Sequence, residues 1–122
     1  MNDDKLILGF SAARVAMGTV LAAAPGAVAR PWLGEAAGRP ATKVAIRSSG
    51  IRDALLGAGT LIAARRGAPV RGWLEASAAS DAGDLLSTLL AGAALPTFGR
   101  VAVPVFAAFG AVTGAFLARR VS

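Results

Sequence analysis

The stretch VAVPVFAAFGAVTGAFLA, Val101 to Ala118, runs eighteen residues without a charge. At ~1.5 Å per residue a helix of that length covers about 27 Å, close to the ~30 Å of a bilayer's hydrocarbon core. The run therefore meets the length criterion for a spanning helix by itself. Pro104 is expected in the first turn of this helix, where a missing N–H costs little.

Three further apolar stretches precede it. Leu6 to Ala24 is interrupted only by Arg14 and closed by Pro25-Gly26. The second, 43–64, carries Lys43, Arg47, Arg52 and Asp53 in its first half and is uncharged from Ala54 to Ala64. It ends at Arg65-Arg66-Gly67, cations followed by glycine, which is a helix C-terminal signal. The third, 72–95, contains Glu75, Asp81 and Asp84 and then stays uncharged to Gly99. Ala, Leu and Gly dominate, and β-branched residues never alternate with polar ones over a full strand length, so the period is helical. The expectation is an all-α chain. It forms a single domain over 1–122, an integral membrane four-helix bundle with spans near 6–24, 43–64, 72–95 and 101–118. Short second and third connectors force antiparallel, up-down-up-down neighbours, and Pro25 to Pro40 forms one longer loop.

Composition agrees with lipid as the solvent. Of 122 residues, 55% are hydrophobic and 16% charged, where soluble domains carry about 25% charge. Mean hydropathy is +0.59. The chain has no Cys and no His, which excludes a disulfide scaffold, a zinc finger and a soft-metal site. With Tyr also absent, most general acid–base and nucleophilic catalysts are missing, so neither an enzyme nor a cofactor is expected.

A net charge of +6 raises nucleic-acid binding, but its distribution argues otherwise. Arg65, Arg66 and Arg71 surround one short connector, and Arg119 and Arg120 follow the last apolar stretch, where membrane proteins keep cytoplasmic anchors. No stretch interleaves basic and aromatic residues as a single-strand binder does. No nucleic-acid partner is expected. Lys5, Arg65, Arg66, Arg71, Arg119 and Arg120 share one side of a four-span chain, against Arg30, Arg39, Lys43 and Arg100 on the other. That bias predicts a multi-pass inner (plasma) membrane protein with both termini cytoplasmic, and Trp73 and Trp32 as anchors at opposite interfaces. Ala27-Val28-Ala29 resembles a signal-peptidase site, but Asp3, Asp4 and Arg14 are wrong for a signal peptide, so retention of the first helix is expected.

The charges inside the apolar stretches are the most informative residues. Each costs about 2.5–3.5 kcal/mol at a membrane centre, so each should face another helix and a partner. Counted from Lys5, Arg66 and Arg71, the residues Arg14, Arg52, Asp53, Asp81 and Asp84 lie roughly 13 to 21 Å deep. Arg52, Asp53 and Asp84 fall at one level across the 66–71 turn. On the third helix Ser77, Ser80, Asp81, Asp84, Ser87 and Thr88 share an arc of about 120°. Ser49, Arg52, Asp53, Gly57 and Thr60 share a similar arc on the second, and Ser11, Arg14 and Gly18 align on the first. Turned inward, these stripes form a buried cluster of two Arg and three Asp, with Ser49, Ser77, Ser80, Ser87 and Thr88 beside it. Arg14 is expected to pair with Asp81 or Asp84. Lys43 and Arg47 point elsewhere and snorkel, while Glu75 partners Arg71 near the interface.

Gly110 to Gly114 is a GxxxG pattern that serves either packing within the bundle or a homo-oligomer face. Phe106, Phe109 and Phe116 are read as lipid-facing or bundle-filling.

Arg14-Val-Ala-Met-Gly18, Gly50-Ile-Arg-Asp-Ala-Leu-Leu-Gly57 and Asp81-Ala-Gly-Asp84 together resemble small four-helix membrane proteins of high-GC bacteria, distantly DoxX-like. The resemblance covers most of the chain. It implies a membrane four-helix bundle, sometimes associated with quinone-linked redox systems, and carries over no catalytic residue. Two readings follow. In the first the Arg/Asp cluster binds or passes a proton, an ion or a small polar group. In the second the chain is a non-catalytic accessory or structural subunit of a larger membrane complex, for which the resemblance admits a quinone link, and the cluster serves assembly.

Overall fold

The computed structural model describes residues 2–121, and all regular structure among them is helical. The helices are α1 (Asp3–Ala23), α2 (Pro25–Leu33), α3 (Pro40–Arg65), α4 (Arg71–Ala91) and α5 (Thr97–Arg120). Short 3-10 turns cover Gly34–Gly38 and Gly92–Ala94.

Local chemistry sets the ends. The Asn2 side chain accepts a hydrogen bond from the Lys5 N–H at 2.9 Å, and Asp3 and Asp4 occupy the positive first turn of α1. Pro25 and Pro40 open α2 and α3, where their missing N–H groups are not needed. At the end of α3 the Ala68 N–H reaches the Ala63 carbonyl at 2.9 Å and the Gly67 N–H reaches Ala64 at 3.2 Å. This is a Schellman closure, with Gly67 at φ 64° in the left-handed region that glycine alone adopts freely.

Three sequence expectations need correction. The stretch from Pro25 to Pro40 is no open loop but α2 and a 3-10 turn, because the fixed φ of Pro25 starts a helix as readily as it ends one. The third stretch stops as a helix at Ala91 rather than Leu95, where Gly92 turns to φ 51°. The last helix begins at Thr97, so Pro104 lies inside it and not in its first turn. Pro96, with extended backbone, had supplied the start signal instead. Pro104 has no N–H for the Arg100 carbonyl one turn back.

The four long helices alternate in direction and associate as two close pairs, α1 with α3 and α4 with α5. Between α1 and α3, a Cβ on Gly18 would overlap the backbone of Gly50 and Ala54, and a Cβ on Gly57 would meet Ser11 and Val15. Glycines there let the two backbones touch. Gly114 of α5 packs on Leu74 and Ala78 of α4, so the GxxxG pattern is used within the bundle. One end is closed by Ile7, Leu74, Leu117 and Ala118. At the other end α2 lies across the bundle, where Ala29, Ala37 and Ile46 are buried and Gly99 of α5 meets the backbone of Trp32. Ala29, the last residue of the signal-like tripeptide, is therefore part of the packed fold.

Polar side chains share a small apolar interior, and large apolar side chains cover much of the outside. Ser11, Asp53, Thr60, Ser77 and Thr88 are buried, while Leu55, Ile62, Leu89, Leu90, Val105, Phe106, Phe109, Val112 and Phe116 are exposed. Two helices, α1 and α5, are long and apolar enough to cross a membrane, with mean hydropathies of 1.7 and 2.0. Only 22% of each apolar window is buried, unlike the core helix of a soluble protein. Helices α3 and α4 are as long, but Lys43, Arg47, Arg52 and Asp53 on one and Glu75, Asp81 and Asp84 on the other keep them below that standard of apolarity.

Candidate functional site

The bundle interior brings five charges from three helices into one row. Arg14 projects from α1 between the two helix pairs. Its Nη1 donates to Asp53 Oδ1 of α3 at 3.2 Å, and its Nη2 donates to Asp81 Oδ2 of α4. Arg52 of α3 shares Asp53 Oδ1 at 3.4 Å and reaches both carboxylate oxygens of Asp84 on α4, at 3.1 and 3.2 Å. The order along the row is Asp81, Arg14, Asp53, Arg52, Asp84, alternating in sign. Asp53 is the shared centre. Each Asp thus has a guanidinium partner, which is what makes burial of charge tolerable. If all five are ionised, one negative charge is left over.

The row is graded in exposure. The Arg14 side chain is 8% exposed, Asp53 12% and Asp81 13%, whereas Asp84 is 30% and Arg52 40% exposed. One end is sealed and the other is open. The ring of Phe10 closes the sealed end, 5.4 Å from the Arg14 guanidinium carbon. Sequence reading missed Phe10, although its position one turn before Arg14 places the two on one face.

The flanking hydroxyls divide. Ser77 and Thr88 are buried, Ser49 and Ser80 half-buried, and Ser87 exposed. Ser87 sits at the rim of the α4 arc, where the helix turns away from its neighbours, so the expectation that it faces inward is corrected. The buried atoms Ser80 Oγ, Thr88 Oγ1, Arg14 Nε and Arg52 Nε have no hydrogen-bond partner in the structure. The pairing of Arg14 is with Asp81 and Asp53, and Asp84 belongs to Arg52. Among the described residues no three or more His, Cys, Asp or Glu are placed to hold a metal ion. Guanidinium groups stand between the carboxylates.

Some charges outside the row have partners elsewhere. Arg47 Nε donates to the Ala22 carbonyl at 2.9 Å, at the C-terminus of α1, and Arg71 Nε donates to Glu75 at 2.8 Å. Arg120 Nε donates to Asp3 at 3.0 Å and lies over Phe116.

Compared with protein-family models, curated proteins and solved structures, the chain gives no match.

Proposed function

We propose that the chain is a polytopic inner-membrane protein whose four long helices cross the bilayer with both ends cytoplasmic. Its Asp81–Arg14–Asp53–Arg52–Asp84 row binds or passes a proton, an ion or a small polar group. The observation that carries this reading is the distribution of polarity: a row of ionisable side chains inside, a belt of Leu, Val and Phe outside. In water such a belt is a large aggregation surface, whereas in lipid it is the solvated face. Lipid also accounts for α3 and α4, whose charges are paired within the bundle. Six basic residues against four support the orientation.

Within the row the arginines keep their charge at any accessible pH, so the adjustable member is a carboxylate. Asp84 stands at the open end, held by Arg52 alone. It is the group a cation or proton meets first. The test is Asp84→Asn in protein reconstituted into vesicles loaded with a pH-sensitive or a sodium- or potassium-sensitive dye. Flux in the parent and its loss in a normally folded variant are expected. Flux no greater than in empty vesicles overturns passage.

The complete pairing of the row favours a second reading, the accessory subunit. Its ion pairs fasten the α1/α3 pair to the α4/α5 pair, a purely assembling role. Stable co-purification with a partner in mild detergent, together with an unchanged phenotype for Asp84→Asn, supports it. The DoxX-like resemblance belongs to the same proposal and rests on the quoted motif residues alone.

A further inference from the structure

A groove on the outer face between α3 and α4 lies apart from the charge row. Leu55, Ala58, Gly59 and Ile62 form its floor, Trp73 its wall and Arg66 one end, with a cavity volume of about 660 Å³. It exists because α3 and α4 touch over a shorter length than the two close pairs. The indole of Trp73 rests on the bare α-carbon of Gly59, and Leu55, Ile62 and Trp73 are exposed.

We propose that this groove holds an acyl chain of an anionic phospholipid, with the phosphate at the Arg66 guanidinium. The inference rests on the membrane reading above. From Leu55 to Arg66 the groove runs about 17 Å at ~1.5 Å per residue, close to half of the ~30 Å hydrocarbon core, the depth of one leaflet. Its one charged end is cationic and lies beside Arg65 and Arg71, on the side assigned to the cytoplasm. Arg71 is engaged by Glu75, while Arg66 has no ion-pair partner among the described residues. An apolar slot ending in a free cation is complementary to a lipid with an anionic head, and the aromatic wall sits at the level where indoles favour the interface.

Trp73 itself reports occupancy. In Trp32→Phe protein, where Trp73 is the remaining tryptophan, phosphatidylcholine vesicles are doped with equal fractions of either brominated phosphatidylglycerol or brominated phosphatidylcholine. Stronger quenching of Trp73 by the anionic lipid is expected. Arg66→Gln should lower that preference about fivefold, the factor contributed by one basic residue near an anionic surface. Ala58→Phe, which fills the slot and leaves the charges in place, should remove it. Equal quenching by the two lipids, or a preference that survives Arg66→Gln, overturns the site while leaving insertion intact. No quenching by either lipid removes the membrane reading and this inference together.

Discussion

The carboxylate of Asp81 lies on the bare α-carbon of Gly110, where a methyl group would overlap Oδ2. A glycine of α5 therefore makes the space in which a carboxylate of α4 can meet Arg14 of α1. Gly110→Ala is expected to destabilise the protein by about 1–3 kcal/mol, the usual cost of overpacking. Gly83→Ala, on the same level of α4 but with nothing within 4 Å, should instead stabilise by about 0.5–1 kcal/mol. Thermal unfolding in detergent, followed by circular dichroism, checks the opposite signs.

The partner of Arg14 can be tested by a double-mutant cycle. Arg14→Ala strands the buried Asp81 carboxylate and leaves Asp53 to Arg52 alone, and should cost about 3–5 kcal/mol. Adding Asp81→Ala should recover part of that loss, because the second charge is no longer unpaired. Adding Asp84→Ala should recover less than adding Asp81→Ala, since Asp84 is paired to Arg52 and is linked to Arg14 only through Asp53. Recovery with Asp84→Ala but not with Asp81→Ala would contradict the geometry.

The open end of the row should matter less to stability. With Arg52 40% and Asp84 30% exposed, this pair is less enclosed by protein than Arg14 at 8%, and Arg52→Ala is expected to cost less than Arg14→Ala. A loss as large as that of Arg14→Ala would show that Arg52 is sealed in the working protein.

Membrane insertion is checked by fractionation. Sodium carbonate should leave the protein in the membrane pellet, and reporters fused at either end of the chain should both be cytoplasmic. Release by carbonate overturns the membrane reading. Reporters on opposite sides would mean an odd number of spans.

The helical architecture was legible because Val101 to Ala118 and its three counterparts carry long apolar runs with clear Gly and Pro punctuation. That three helices bring charge to one level was legible by counting residues from Lys5 and from the 66–71 turn. What the counting could not show was which neighbour each face meets. Helical periodicity orients Arg14, Asp81 and Asp84 without ranking the two carboxylates, since both lie within one arc of α4. The helix α2 was hidden for another reason: Pro25, Pro31 and Gly34 within ten residues look like a loop, yet Pro25 sits at a helix start and α2 continues through Pro31. Gly18, Gly50 and Gly57 were visible as motif residues, but their role in backbone contact depends on the partner helix.

The Arg14 pairing also has a consequence for biosynthesis. Asp53 follows Arg14 by 39 residues and Asp81 by 67, so α1 is synthesised well before either partner exists. At about 5–20 residues per second, Asp81 is completed roughly 3 to 13 s after Arg14. In the proposed membrane setting, a lone guanidinium would carry its full insertion penalty during that interval. If the chain spans the membrane as proposed, α3 is the first helix to offer α1 both a carboxylate and a glycine-lined surface, so stable insertion of α1 is expected to await α3. The order of assembly is written into the order of the charges.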